Sequence, residues 1–164
     1  MGRIKDSVRI KGLFRVEKFA AGADPLKDLP DETIECENMG LTTGLTEMLK
    51  LFTGAGGTAF NNTNAEVGVG DNNIAPAASQ TDLQASTNKT YVGMAGGYPT
   101  APSSASVQFQ ASFGSSSANY AWNEIVVKNS SSGICLNRTT NGGNGWGTKA
   151  SGTTWVVTVT WSLS

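Results

Sequence analysis

Alternation of apolar and polar residues marks the start of the chain as a β-strand. Five small or apolar residues recur at every second position: Val8, Ile10, Gly12, Phe14 and Val16. Arg9, Lys11, Leu13 and Arg15 lie between them. In an extended chain, successive side chains point to opposite faces, so residues that are two positions apart lie on the same face. The pattern therefore predicts a strand with one mainly basic face.

A second charged segment follows this strand and is predicted to pair with it. Residues 20–31 (AAGADPLKDLPD) hold one glycine, two prolines and three aspartates, which indicates a loop. The next run, ETIECEN at 32–38, is acidic and compatible with a strand. Opposite charges across paired strands are stabilising. We expect a charged hairpin over 1–38, which is either a solvated surface feature or an arm that reaches onto a partner.

A different period follows and predicts one helix, at about 41–53. Its apolar stripe repeats at helical spacing: Leu41, Leu45, Met48, Leu49 and Phe52. Thr42 or Thr43 is expected to cap the start, and Gly54 is expected to end the helix in the left-handed conformation. We expect the stripe to face the core.

The rest of the chain reads as strands separated by turns. Strand patterns occur at 65–71, 89–95, 104–114, 119–129, 133–140 and 153–164. The last segment, TTWVVTVTWSLS, alternates without interruption and is rich in residues that favour strands. Several short strands with Gly, Ser and Asn turns are typical of a sandwich or a flattened barrel. The prediction is a mainly β protein, with a β-sandwich or jelly-roll-like domain over 39–164.

Charge is concentrated in the first third of the chain but balances overall. Residues 1–50 carry eight of the 12 basic and nine of the 13 acidic residues, and the net charge is −1. Neither nucleic acid nor an anionic membrane is a predicted partner. No run of about 18 apolar residues predicts a membrane span. The charged N-terminus lacks an apolar signal region, which favours a protein made in the cytosol.

Histidine is absent, and this changes the range of chemistry that the chain can support. Its absence excludes Ser-His-Asp and Cys-His catalysis and zinc sites built on histidine. Carboxylate chemistry stays open through the four acids of the β part, Glu66, Asp71, Asp82 and Glu124. Cys36 and Cys135 have no metal-type spacing, and whether they form a bridge stays open. We expect no enzyme activity and no cofactor.

Two glycine-containing stretches are candidate sites. VGVGDNN (67–73) lacks the third glycine of a dinucleotide fingerprint, and Ala75 and Pro76 break a calcium-loop pattern. A turn in which Asp71 acts as a cap is the simpler interpretation. NGGNGWGTKASG (141–152) is either a mobile surface loop, which we favour, or a platform on which Trp146 stacks against a sugar.

The order of these segments resembles a family of small virion proteins of tailed bacteriophages. The resemblance is carried by KGLFRVEKF, ECENMGLTTGLTEMLKLFTG, TAFNNTNAEVGVGDNNIAPAASQTDLQ, FQASFGSSSANYAWNEIVVKN, LNR and SGTTWVVTVTWSL. GVGD followed by TDLQ, and FG followed by ANYAWNE, are its most specific parts. It implies a non-enzymatic part of the particle, made in the bacterial cytoplasm and present in many copies.

The leading role within that family is a head decoration, or cement, protein. The resemblance implies a homotrimer on the outer surface of the head, bound to the major capsid protein by a terminal arm and sheet edges. Six residues are candidate partner contacts: Arg3, Lys5, Arg9, Lys11, Arg15 and Trp146. A tail, neck or collar component is the alternative, and a glycan-binding tip that uses Trp146 or Tyr98 is a third.

Overall fold

A computed structural model describes residues 9–101 and 103–164. Arg3 and Lys5, two of the predicted partner contacts, lie outside the described residues. The elements in chain order are β1 (Ile10–Phe19), β2 (Glu32–Glu37), β3 (Met39–Gly40), α1 (Thr42–Thr53), β4 (Ala65–Gly70), β5 (Lys89–Gly93), β6 (Ser106–Phe113), β7 (Ala121–Trp122), β8 (Glu124–Asn129), β9 (Cys135–Thr139), a short 3₁₀ helix (Asn141–Gly143), β10 (Gly147–Thr148) and β11 (Thr154–Leu163). The prediction of a mainly β protein is confirmed.

Two antiparallel sheets hold most of these strands. The first, here called the terminal sheet, has the order β2-β1-β11-β6. The second, here called the middle sheet, has the order β3-β9-β8-β4-β5. Strands β7 and β10 form a separate pair. Strand β1 pairs with β11 from Ile10 opposite Leu163 to Phe19 opposite Thr154, so the first and last strands are neighbours.

The predicted charged hairpin is confirmed, but it is not a projecting arm in the part that the structure describes. Arg15 lies opposite Glu35 and Lys18 opposite Glu32 across β1 and β2. Lys18 Nζ is 2.7 Å from a carboxylate oxygen of Glu32. However, β1 lies between β2 and β11 inside the terminal sheet, and Phe14 is fully buried. The hairpin is integral to the sheet because β1 supplies both main-chain pairing and core side chains.

One hydrophobic core joins the two sheets. Alternate residues of β11 are buried in it, as their period predicts: Trp155, Val157, Val159 and Trp161. The middle sheet contributes Val67 and Val69 of β4 and Ile125 and Val127 of β8. Burial of such apolar surface contributes roughly 25 cal/mol per Å² and is the main term that stabilises the fold.

The helix forms where it is predicted, and the first part of its apolar stripe packs as expected, because Leu41 is buried and Leu45 and Met48 lie against the main core. Gly54 ends it with φ 68°, as expected, whereas its first residue is preceded by Leu41 and no side chain caps it. Leu49 and Phe52 are 64% and 88% exposed, so the predicted core stripe is wrong at these two positions. The physical reason is a close approach at Gly44, where a Cβ atom would lie 2.5 Å from the Cα of Leu136 in β9. This contact sets the rotation of the helix and turns Phe52 outward.

Candidate interaction surfaces

The outer face of the middle sheet is covered by residues 71–88, here called the covering segment. It runs from the end of β4 to the start of β5 and contains TDLQ and the last three residues of VGVGDNN, Asp71 to Asn73. Leu83, which is 4% exposed, packs with Val126 and Cys135 in a second hydrophobic cluster. The centre of this face of the sheet is therefore buried.

A buried carboxylate fastens the covering segment to β8. Both Glu124 and Arg138 have fully buried side chains, and the Nε of Arg138 donates to Glu124 Oε2 at 2.8 Å. The backbone N–H groups of Gln84 and Ala85 donate to the same carboxylate at 2.8 and 2.7 Å. A buried ion pair needs such additional hydrogen bonds to offset its desolvation.

Arg138 fastens the first half of the covering segment in the same way. Its Nη1 donates to the carbonyl oxygen of Ile74 at 2.9 Å and to Oε1 of Gln80 at 3.0 Å. Gln80 in turn accepts a hydrogen bond from the backbone N–H of Ala77. The ion pair thus holds both halves of a segment that has no regular secondary structure.

A second polar cluster surrounds Asp82. Lys128 Nζ and the Tyr91 hydroxyl each donate to its carboxylate at 2.6 Å, and the Cys135 thiol lies 3.5 Å away. Burial acts to raise the pKa of Asp82, but the hydrogen bonds from Lys128 and Tyr91 outweigh it and hold that pKa below its usual value. Burial also raises the pKa of both Tyr91 and Cys135. Both groups therefore keep their protons near neutral pH and act as hydrogen-bond donors to Asp82.

The glycines of VGVGDNN leave space for the side chains of Tyr91 and Glu124. A Cβ on Gly68 would lie 2.6 Å from the ring of Tyr91, and one on Gly70 would lie 2.5 Å from Glu124 Oε1. Side chains rather than neighbouring backbone therefore occupy the space beside these glycines. Asp71 accepts a hydrogen bond from Asn88 at 2.7 Å, at the other end of the covering segment. The described residues contain no group of three or more metal-ligating Asp, Glu, Cys or His side chains.

Trp146 is buried, which contradicts its predicted place on an exposed loop. Its side chain is 1% exposed and belongs to the main core. Gly145 and Gly147 on either side have φ of 63° and 89°, which allows the chain to turn inward. The backbone N–H of Trp146 donates to the carbonyl oxygen of Trp122 at 2.8 Å. A sugar platform needs an exposed ring, so the stacking hypothesis is wrong for Trp146.

The outer face of the terminal sheet contrasts with that of the middle sheet. Arg9, Lys11, Leu13 and Arg15 remain exposed along β1 and just before it; we call this stretch the open face. Arg15 is also 2.9 Å from Glu17. The structure thus brings three of the predicted partner contacts, Arg9, Lys11 and Arg15, onto one surface.

The loop between β1 and β2 carries an exposed apolar tip that the sequence analysis did not single out. Leu26 and Leu29 are 94% and 89% exposed. Asp24 braces the loop, because its carboxylate accepts from the backbone N–H of Leu26 at 3.0 Å and from Lys27 Nζ at 2.6 Å. The backbone N–H of Asp24 donates to Asp28 at 2.7 Å. The feature of the sequence that could have revealed this tip is a pair of leucines between two prolines in an acidic loop. We call residues 24–31 the acidic tip.

An apolar pocket of about 350 Å³ lies between α1 and the ends of β6 and β11. Its lining includes Met48, Leu51, Phe60, Val107 and Leu163. Leu51 and Leu163 are 39% and 47% exposed, so the pocket opens to the surface. We call it the end groove.

Comparison of the chain with protein-family models, curated proteins and solved structures finds no match. In the part of the chain that the structure describes, no helix has the length and apolar character needed to cross a bilayer.

Proposed function

We propose that this chain is a non-enzymatic virion protein of a tailed bacteriophage. Its role is head decoration: it binds the major capsid protein on the outer surface of the head, as a homotrimer, after synthesis in the bacterial cytoplasm. The family resemblance of the sequence supports this context. The observation that supports a binding role most directly is the open face, where Arg9, Lys11 and Leu13 are exposed on a sheet whose other side is packed.

The architecture fits this role. Two antiparallel sheets with a shared core support a β-sandwich, which we propose to be of the jelly-roll-like kind. A sheet face has little freedom to rearrange, so binding through it loses little conformational entropy. Many copies on one lattice would add up to a large total stabilisation even if each contact is weak.

Charge gives the open face a preferred partner. Arg9 and Lys11 are exposed cations on the side of β1 that points away from the core. Positive groups at the rim of an interface speed association with an acidic surface and suppress wrong partners. We therefore expect the face to lie against an acidic part of the capsid protein.

Immunogold electron microscopy of purified virions tests the location. Gold distributed evenly over the heads is the expected result. Gold confined to the neck, collar or tail would support the alternative, a structural component of those parts of the virion. Particles without label, both intact and opened, would overturn the virion proposal.

A charge reversal tests the surface. Lys11→Glu places a negative charge on the open face, and Lys89→Glu makes the same change on the exposed start of β5 in the other sheet. We expect Lys11→Glu to weaken binding to purified capsids about fivefold, as about 1 kcal/mol of exposed charge interaction implies. The Lys89→Glu control should bind like the original protein. Equal binding by both variants would exclude the open face as the contact.

A further inference from the structure

The pairing of β1 with β2 stops before β1 does, which leaves a short length of strand with one edge unpaired. Leu13 lies opposite Glu37, the last residue of β2. One further hydrogen bond follows, from the backbone N–H of Asn38 to the carbonyl oxygen of Gly12 at 3.2 Å. Beyond this point the chain leaves the terminal sheet, because β3 pairs with β9 in the middle sheet. We call residues 9–12, on the side where β2 has ended, the unpaired edge.

The backbone of Ile10 faces this edge. In an antiparallel sheet, successive residues direct their N–H and C=O groups to opposite sides of the strand. Arg9 uses both of its groups on the side of β11, where it exchanges hydrogen bonds with Ser164 at 2.7 and 3.0 Å. The two groups of Ile10 therefore point the other way, and no hydrogen bond joins them to any residue in 9–101 or 103–164. Free N–H and C=O groups on a strand are a template for pairing with another chain.

A pocket of about 360 Å³ lies along the unpaired edge. Its lining is contributed by β1 and by the end of β2: Arg9, Ile10, Lys11, Gly12, Glu37 and Asn38. Consecutive residues of β1 all line it, although their side chains alternate between the two faces of the sheet. What these residues share towards the pocket is their backbone. The pocket is therefore beside the strand, in the position that a further strand of the sheet would occupy.

The charge of the lining indicates which kind of segment fits there. Arg9 and Lys11 are both exposed, and neither forms an ion pair within the part of the chain that the structure describes. Glu37 is the one acidic side chain of the lining, so cations exceed carboxylates there. In an extended segment, carboxylates at every second position lie on one face and can meet both cations.

The outer edge of β2 is also unpaired, because β2 is the last strand of the terminal sheet, but its charge is opposite. It carries three exposed glutamates: Glu32, Glu35 and Glu37. Like charges directly opposite each other on paired strands are destabilising. An acidic segment is therefore directed away from β2 and towards the unpaired edge. The same rule opposes symmetric pairing of two copies through this edge, which would bring Arg9 and Lys11 near their own counterparts.

From these observations we propose that the unpaired edge binds an extended, acidic segment of a partner protein. The segment pairs its main chain with Ile10 and places carboxylates beside Arg9 and Lys11. In such strand addition, main-chain hydrogen bonds supply affinity and alternate side chains supply selectivity. The identity of the partner as the major capsid protein rests on the proposed function, whereas the recognition itself rests on the edge alone.

A peptide titration followed by NMR of the backbone amides tests this proposal without capsids. The probe is an octapeptide of alternating glutamate and valine with a threonine at each end, and its control has lysine in place of glutamate. We expect the acidic peptide to shift the Ile10 amide and, at saturation, to slow its hydrogen exchange at least tenfold. The Lys11 amide faces β11 and should exchange slowly throughout. The lysine peptide should bind at least tenfold more weakly, and salt should weaken binding of the acidic one.

Variants of the full chain locate the contact. Ile10→Pro removes the free N–H, and proline is tolerated at the first residue of a strand. We expect it to weaken binding of the acidic peptide about fivefold, as loss of one hydrogen bond implies. Thr33→Pro is the matched control, because by the same alternation its N–H points to the outer edge of β2. It should bind the peptide like the original protein. Arg9→Glu/Lys11→Glu, with an expected loss of at least tenfold, serves if Ile10→Pro fails to fold by circular dichroism.

Three results would overturn the proposal. The first is equal binding of the acidic and lysine peptides. The second is undiminished binding of the acidic peptide by the folded edge variants. The third is binding that appears only after removal of residues 1–8, which would show that the chain's own N-terminal segment covers the edge. A protein that binds the peptide at Ile10 but does not bind purified capsids would contradict the proposed function alone. A protein that binds capsids but not the peptide would contradict this inference alone.

Discussion

The two sheets of this protein treat their outer faces in opposite ways. The middle sheet carries charged side chains on its outer face, Glu124 and Arg138, and buries them completely under the covering segment. The terminal sheet also carries charged side chains there, Lys11 and Arg15, but leaves them in water. The same residue types therefore have a structural role on one sheet and are free to meet a partner on the other.

The largest expected effect concerns the buried ion pair. Glu124→Gln leaves Arg138 as a buried cation without a counter-charge, which costs about 3–5 kcal/mol. We expect this loss in the free energy of unfolding measured with urea. Glu35→Gln is the matched control on the terminal sheet, where the carboxylate is half-exposed and 4.0 Å from Arg15. The control should change stability by no more than about 0.5 kcal/mol. Similar losses for both variants would contradict the contrast between the two faces.

The next effect concerns the close packing beneath the covering segment. Gly68→Ala places a methyl group 2.6 Å from the Tyr91 ring and 2.9 Å from Val126 Cγ2. We expect a loss of about 2 kcal/mol in the free energy of unfolding, which is typical of overpacking. Gly93→Ala in the adjacent strand is the control, because a Cβ there would have no neighbour within 4 Å. If Gly68→Ala lowers the free energy of unfolding no more than Gly93→Ala does, the covering segment can shift to accommodate the added methyl group.

A smaller effect depends on pH and concerns Asp82. Its pKa in the folded protein lies below its ordinary value of 3.8. Such a group stabilises the fold at pH above the ordinary value, and this contribution is lost as the pH falls through the folded-state pKa. Asp82→Asn should therefore cost about 1.5 kcal/mol at pH 7, as for a hydrogen bond to a charged group. The difference from the original protein should shrink towards pH 3.

Urea unfolding at the two pH values measures this effect. The control is Asp31→Asn, which changes an exposed aspartate of the acidic tip and should have little effect at either pH. A cost of Asp82→Asn that is constant from pH 7 to pH 3 would show that the ionised carboxylate is not what holds the covering segment.

The smallest expected effect is on the open face itself. Leu13→Ser removes an apolar side chain that is 39% exposed, and we expect a change in unfolding free energy within about 0.5 kcal/mol. The same variant should weaken capsid binding if the open face is the contact. A stability loss above 2 kcal/mol would instead indicate that Leu13 belongs to the packed interior.

Local patterns were sufficient to predict the longer strands of this protein, but not the two-residue strands β3 and β10 or the division of 119–129 into β7 and β8, which belong to different sheets. The alternation in β11, in β6 and in β1 indicated both the strands and the residues that face the core, since a period of two acts within a few residues. The turn between β8 and β9 and the left-handed Gly54 were also visible, because they depend on neighbouring residues alone. The opposed charges of β1 and β2 predicted their pairing.

The surfaces needed contacts between distant parts of the chain. From the sequence, Glu124 and Asp82 stayed candidates for carboxylate chemistry, because nothing near Glu124 indicates that Arg138 and the backbone at 84–85 will surround it. Trp146 was predicted to be exposed, because its glycine-rich segment has the composition of a surface loop. The positive φ angles of the neighbouring glycines, which allow the ring to face inward, are visible only in the structure.

What the sequence by itself determined, then, is the class of structure and the inward face of each long strand. Which charged residues are buried, which face of α1 packs, and where Leu26 and Leu29 lie relative to the end groove were decided by the tertiary structure. The physical reason is the distance along the chain over which each kind of interaction acts. Strand alternation and turns act over a few residues, whereas burial of Glu124 or exposure of Phe52 depends on segments that meet only after the two sheets have packed.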